Sequence, residues 1–125
     1  MDTDDRERLI ELGHRMFDWA REGNDEQLAA YVEAGVPVNL TDAAGNTLLM
    51  LAAYHGHAAT VSALAGLGAD VDRLNDRGQS PLAGAVFKDE PEVVRALLAA
   101  GADPDTGRPT ARETAGLFGR PELFG

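Results

Sequence analysis

One feature constrains this chain more than any other: its punctuation repeats at a spacing of thirty-three residues. Gly23, Gly56 and Asp89 stand one period apart, as do Gly35, Gly68 and Gly101, and Asn39, Asp72 and Asp105. Gly45 pairs with Gly78, Thr47 with Ser80, and Val61 with Leu28 and Val94. A fixed period of this length marks a stacked repeat, in which each unit buries its apolar face only against its neighbours.

Each repeated residue type has a local reason. Thr47 and Ser80 can N-cap a first helix by accepting a hydrogen bond from an orphan backbone N–H. Pro81 follows Ser80 at the first helical position, where its missing N–H costs nothing. Gly56 falls where that helix must end in a left-handed residue, and Asp89 is among the few side chains that tolerate the same conformation. Pro91 and Pro121 open the second helices of their repeats, and Gly68 and Gly101 end the second helices of the two inner repeats.

The residues that carry the period also carry a resemblance. Gly45-Asn46-Thr47-Leu48-Leu49, Leu51-Ala52-Ala53, Gly56-His57 and Gly68-Ala69-Asp70-Val71-Asp72 form one copy. Gly78-Gln79-Ser80-Pro81-Leu82, Val93 to Leu98 and Gly101-Ala102-Asp103-Pro104-Asp105 form the next. Together they resemble an ankyrin repeat protein. The resemblance implies an all-α ankyrin-repeat solenoid of stacked helix-turn-helix units with short hairpin-like turns. It is expected to form a single domain over residues 1–125. The N-cap repeat spans about 3–41, full repeats about 42–74 and 75–106, and a shortened C-cap about 107–125. The histidine of the family's Thr-Pro-Leu-His motif is Met50 in one copy and Ala83 in the other. Its hydrogen bonds are therefore missing, and looser turns are expected on the same fold.

The end units read differently from the middle. Residues 2–22 read as one long helix capped by Asp2 or Thr3, with Asp4 and Asp5 at the positive end of its dipole. Leu9, Ile10, Gly13, Met16, Phe17 and Ala20 make its inward stripe, and Trp19 is expected to fill space beside the first repeat. A second helix over 25–34 turns Leu28, Tyr31 and Val32 inward. At the other end the spacing from Ser80 to Thr110 is three residues short of the period. Pro121 should begin a clipped helix there, with Leu117, Phe118, Leu123 and Phe124 packed inward and Arg112 and Glu113 outward.

The charge pattern separates the halves. The formal charge is −10, with 4 basic and 13 acidic residues in 1–72 against 7 and 8 in 73–125. That balance argues against nucleic-acid or anionic-membrane binding. The acidic half is either a solvated surface or a dock for a basic partner. There is no cysteine, so disulfides, thiolate metal sites and cysteine nucleophiles are excluded. The acidic N-terminus is no secretory signal and no apolar run is long enough to span a bilayer, so a cytoplasmic protein is expected.

No catalytic set emerges, and no cofactor or metal is expected. His55 and His57 flank the residue expected to end a helix, which should turn their rings apart, and no carboxylate or cysteine cluster completes a ligand set. His57 occupies the family's Gly-His position, a structural role. Ser62 and Ser80 lack a nucleophile context, and the acidic pairs lie on exposed helix faces.

The resemblance instead implies binding of another protein, as an adaptor, regulator or inhibitor, by the concave face formed from turn tips and first helices. By position this face comprises Arg21 and Glu22; Ala43, Ala44, Asn46, Tyr54 and His55; and Asp76, Arg77, Gln79, Phe87 and Lys88. Leu117 and Phe118 follow in the last unit unless the cap needs them. Tyr54 and Phe87 are either contact residues or folded back as core. An acidic or aromatic-rich partner segment would suit the corner around Arg77, Phe87 and Lys88. The alternatives are a self-associating structural module, its acidic half against its more basic half, or a small-molecule binder or enzyme, which would need a pocket of convergent polar groups.

Overall fold

The computed structural model describes residues 3–124. Seven α-helices follow in order: α1 Thr3–Glu22, α2 Asp25–Glu33, α3 Leu48–Tyr54, α4 Ala58–Gly66, α5 Pro81–Phe87, α6 Pro91–Ala99 and α7 Ala111–Leu117. Among the described residues a single 3-10 turn, Pro121–Phe124, follows α7. The fold is the all-α ankyrin solenoid. Among the described residues the only β pairing is one isolated antiparallel bridge between Thr41 and Thr47.

The first helices form one layer, α1 against α3, α3 against α5 and α5 against α7, and the second helices form another, α2 against α4 and α4 against α6. The core lies between the layers. Met16, Leu28, Leu48, Leu49, Val61, Leu64, Leu82, Val93 and Leu97 are fully buried. Ala20, Ala52, Ala85, Ala111 and Ala115 sit among them with no exposure, where their small side chains let neighbouring helices approach closely. Trp19 is half-buried and stacks at 5.4 Å on Tyr31, covering the first unit.

The caps behave as their chemistry requires. The Thr47 hydroxyl accepts from the Met50 N–H and the Ser80 hydroxyl from the Ala83 N–H, each at 3.1 Å. Thr110 and Glu113 form a reciprocal capping box at the start of α7. Asp89 takes φ 54° in the place where Gly56 takes φ 82°. Thr3 is already helical, so it does not cap α1, and Asp2 lies outside the described residues.

The period at Asn39, Asp72 and Asp105 has a direct cause. Asn39 Oδ1 accepts the Asp70 N–H and Asp72 Oδ1 accepts the Asp103 N–H, both at 2.8 Å. Each side chain thus ties its own repeat to the next. Asp105, one period further on, takes the Arg112 guanidinium of the last unit at 2.8 and 3.3 Å.

Three expectations are corrected. The turns are not loose, because polar side chains within them hold their backbone. The Asp42 carboxylate accepts the Ala44 and Asn46 N–H groups, and Asn75 Oδ1 accepts those of Arg77 and Gln79. Adjacent turns are also joined through Asp76 N–H to Ala44 O and Arg108 N–H to Gly78 O. Leu9 and Ile10 are exposed, whereas Met16, Phe17 and Ala20 further along α1 reach the core. Leu117 and Phe118 do not pack inward; they are 79% and 54% exposed. Leu123 and Phe124 do pack against the core, and Arg112 helps to hold them by donating to the Phe124 carbonyl at 2.7 Å.

Candidate binding face

The site is set by where a first helix stops. Each of these helices ends one or two residues before its left-handed residue, so the last side chains project from the layer while the preceding ones are buried. The rows created in this way are Arg21, Tyr54, Phe87 and Leu117, then Glu22, His55, Lys88 and Phe118. All eight are exposed.

Tyr54 and Phe87 belong partly to each reading. Tyr54 is 43% exposed and Phe87 61%. Tyr54 leans over α5 at Gly84, where an added Cβ would lie 3.9 Å from its ring. The Lys88 ammonium sits 4.8 Å from the centre of the same ring, in cation–π range. Phe87 meets Phe118 edge-on at 5.8 Å. Three aromatic rings and one ammonium therefore make a linked surface across the last three units.

A groove of about 360 Å³ runs along this surface. Met50, Ala83 and Gly84 form its floor; Tyr54, Phe87, Leu117 and Phe118 form its walls, and Gln79 and Pro109 close one end. A second groove shares Met50, Tyr54 and Gln79 and continues past His55 and Arg77 to Ala44. A third and more open one lies at the other end of the stack, where Arg21, Ala43 and Ala44 meet Leu9, Ile10 and Phe17. The positions read from the sequence thus fall into two groups, joined at Ala44. Glu22, Asp76 and Lys88 line none of the three grooves, and Asn46 is half-buried and held by Asp42 and Asn75. Asn46 spaces the turns and presents little to a partner.

Sequence reasoning missed the groove floor and Arg108, the neighbour of Pro109 at the groove's end. The floor residues Met50 and Ala83 replace the family's motif histidine, so a departure from the pattern is what leaves an apolar floor. Arg108 stands in the shortened loop, outside the period, and carried no signal.

The histidines have separate environments. His57 Nε2 lies 2.6 Å from the Arg21 carbonyl oxygen, to which it donates, and its ring rests against Gly23. This locks the start of α4 to the end of α1. His55 meets Tyr54 edge-on. Partial burial, followed by the charges of His57, Arg21 and Lys88, holds its pKa below the ordinary histidine value. Among the described residues no three His, Cys, Asp or Glu side chains converge as metal ligands. No helix among them is long and apolar enough to cross a membrane.

Comparison with known proteins agrees with this architecture. A family model for three copies of the ankyrin repeat matches residues 16–107. A putative ankyrin repeat protein of Pseudomonas aeruginosa is 51% identical over 51 residues, 41% of this chain and 30% of that protein. A putative ankyrin repeat-containing protein of Treponema pallidum is 35% identical over 106 residues, 80% of this chain and 36% of that protein. A palmitoyltransferase of Saccharomyces cerevisiae is 35% identical over 75 residues, 57% of this chain but 10% of that enzyme. The chain belongs to the ankyrin repeat family. It spans about a third of the length of the two bacterial relatives. Ankyrin repeats are in general non-catalytic modules for protein–protein interaction.

Proposed function

We propose that this chain binds a partner protein on its concave face, as an adaptor, regulator or inhibitor in the cytoplasm, with no catalysis of its own. The observation that carries this reading is the apolar groove walled by Tyr54, Phe87, Leu117 and Phe118. Large aromatic side chains left exposed in a contiguous patch are the usual anchors of a protein interface. The groove is lined by apolar side chains with a few hydroxyl and amide groups and has no acid–base pair, which favours an interface over an active site. The net charge of −10 disfavours nucleic acid and anionic membrane as the partner.

The test is paired capture. The wild-type chain and a Tyr54→Ala/Phe87→Ala variant are used as baits in a lysate of the native organism, with captured proteins identified by mass spectrometry. The variant should keep its helical circular dichroism and lose the captured protein. Equal capture by both baits would move the interface to the convex side or the caps. A collapsed melt of the variant would instead make both rings core.

A further inference from the structure

We infer that the groove between α3, α5 and α7 takes an apolar anchor side chain carried on an acidic segment of the partner. This rests on the concave-face reading above and assigns the partner's chemistry. It also runs against the net charge, by which a basic partner is the simple expectation.

The local charges differ from the global one. No Asp or Glu lines the apolar groove or its continuation, whereas Arg77 does. Lys88 stands over the Tyr54 ring, and Arg108 is adjacent in sequence to Pro109 at the groove's end. Arg77, Lys88 and Arg108 form no ion pair among the described residues.

Most carboxylates of this half face away from the groove, Asp89 and Glu90 lying on the far side of Phe87 and Phe118. Asp89 pairs with Arg120 at 3.2 Å, Asp105 with Arg112, Glu92 with Arg95, and Glu113 closes the box on Thr110. Glu90 lies under Gly56. Asp76 remains on the turn tip beside Arg77, outside both grooves.

Screening decides which charges a partner feels. At physiological salt the Debye length is about 8 Å, so exposed acids on other faces are largely invisible to a ligand seated in the groove. What it meets is an apolar trough with Arg77 lining its continuation, Lys88 over the Tyr54 wall and Arg108 next to Pro109 at its end. An aromatic or large aliphatic anchor fills the trough, and flanking carboxylates meet the rim.

The test is a selection with a defined probe. A random dodecapeptide phage library is panned on the folded full chain at physiological salt. Enriched clones are then scored against Phe87→Ala, after circular dichroism shows that variant folded. Groove-dependent clones should carry Trp, Phe or Leu flanked by Asp or Glu. Made as a synthetic peptide, such a clone should lose about tenfold in affinity on Arg77→Glu/Lys88→Glu/Arg108→Glu and regain it when its own acids become Lys. Groove-dependent clones with basic or uncharged flanks would overturn the inference and leave the concave-face reading standing. Clones that bind the Phe87→Ala variant equally well would overturn both. A selection without any groove-dependent clone overturns the inference as well.

Discussion

Thr47 and Thr110 open equivalent helices with the same hydrogen bond, in different surroundings. Thr47 is 1% exposed and caps the buried Met50 N–H, while Thr110 is half-buried and caps the exposed Glu113 N–H. Valine at either site keeps the shape and suits the extended backbone there, ψ 167° and 164°. The substitution therefore removes little beyond the cap. A lost cap costs about 1 kcal/mol. At Thr110 the freed N–H reaches water, and Glu113 still accepts from the Thr110 N–H, so the total stays near 1 kcal/mol. At Thr47 the Met50 N–H is left in the dry interior, which adds about 1–3 kcal/mol. The extra methyl in the core returns part of this, leaving a total of about 2–3 kcal/mol. Urea unfolding followed by circular dichroism should show both midpoints lowered at unchanged slope, with Thr47→Val lowered about twice as far. Equal losses, or a larger loss for Thr110→Val, would refute the argument that burial of the uncapped donor sets the cost.

Three other outcomes follow from the same structure. Gly84→Ala places a Cβ in ordinary contact with Tyr54 inside α5, so it should stabilise the fold by about 0.5–1 kcal/mol in the same urea assay. For His55 the folded-state pKa is the lower one, so its contribution is present above the ordinary histidine pKa of about 6.5 and is lost as pH falls through the folded value. His55→Gln should accordingly lose less stability than wild type between neutral and mildly acidic pH in parallel melts. Arg112→Ala releases both Asp105 and the Phe124 carbonyl, so hydrogen exchange should quicken around Pro121–Phe124 while the global unfolding midpoint moves little.

The stack was legible because its residues are constrained one repeat at a time. A cap, a left-handed glycine and a buried leucine each have a local cause that recurs with the period, so Thr47, Gly56, Leu64 and Leu97 could be placed from spacing alone. The linkers between repeats were harder to see. Asn39 and Asp72 stood out as periodic, but their hydrogen bonds to Asp70 and Asp103 join neighbouring units and have no signature within one unit. The turns were misjudged for a related reason. Losing the family histidine removes one set of hydrogen bonds, and Asp42 and Asn75 supply another from within the turn itself. The candidate face could be laid out as positions, without its groove. Whether Tyr54 and Phe87 are core or contact has a graded answer, because each leans on the next unit and still leaves a large part of its ring in water.

That lean explains the end of the row as well. Tyr54 rests over α5, Phe87 rests on Phe118, and Leu117 has no following repeat among the described residues to rest on. Exposure rises in that order, 43%, 61% and 79%. An apolar residue at this position is covered by what the next repeat offers, so a helical pattern that reads as inward within its own helix is exposed where no following repeat lies among the described residues. The same reasoning separates Leu123 and Phe124, which come after the turn and fold back on the core. The apolar end of the groove thus follows from a residue type suited to inner repeats with no following repeat among the described residues. A partner that covers Leu117 and Phe118 would complete the packing that Tyr54 and Phe87 obtain from the chain itself, which is why the strongest binding contribution is placed at this end and not beside Arg21 and Glu22.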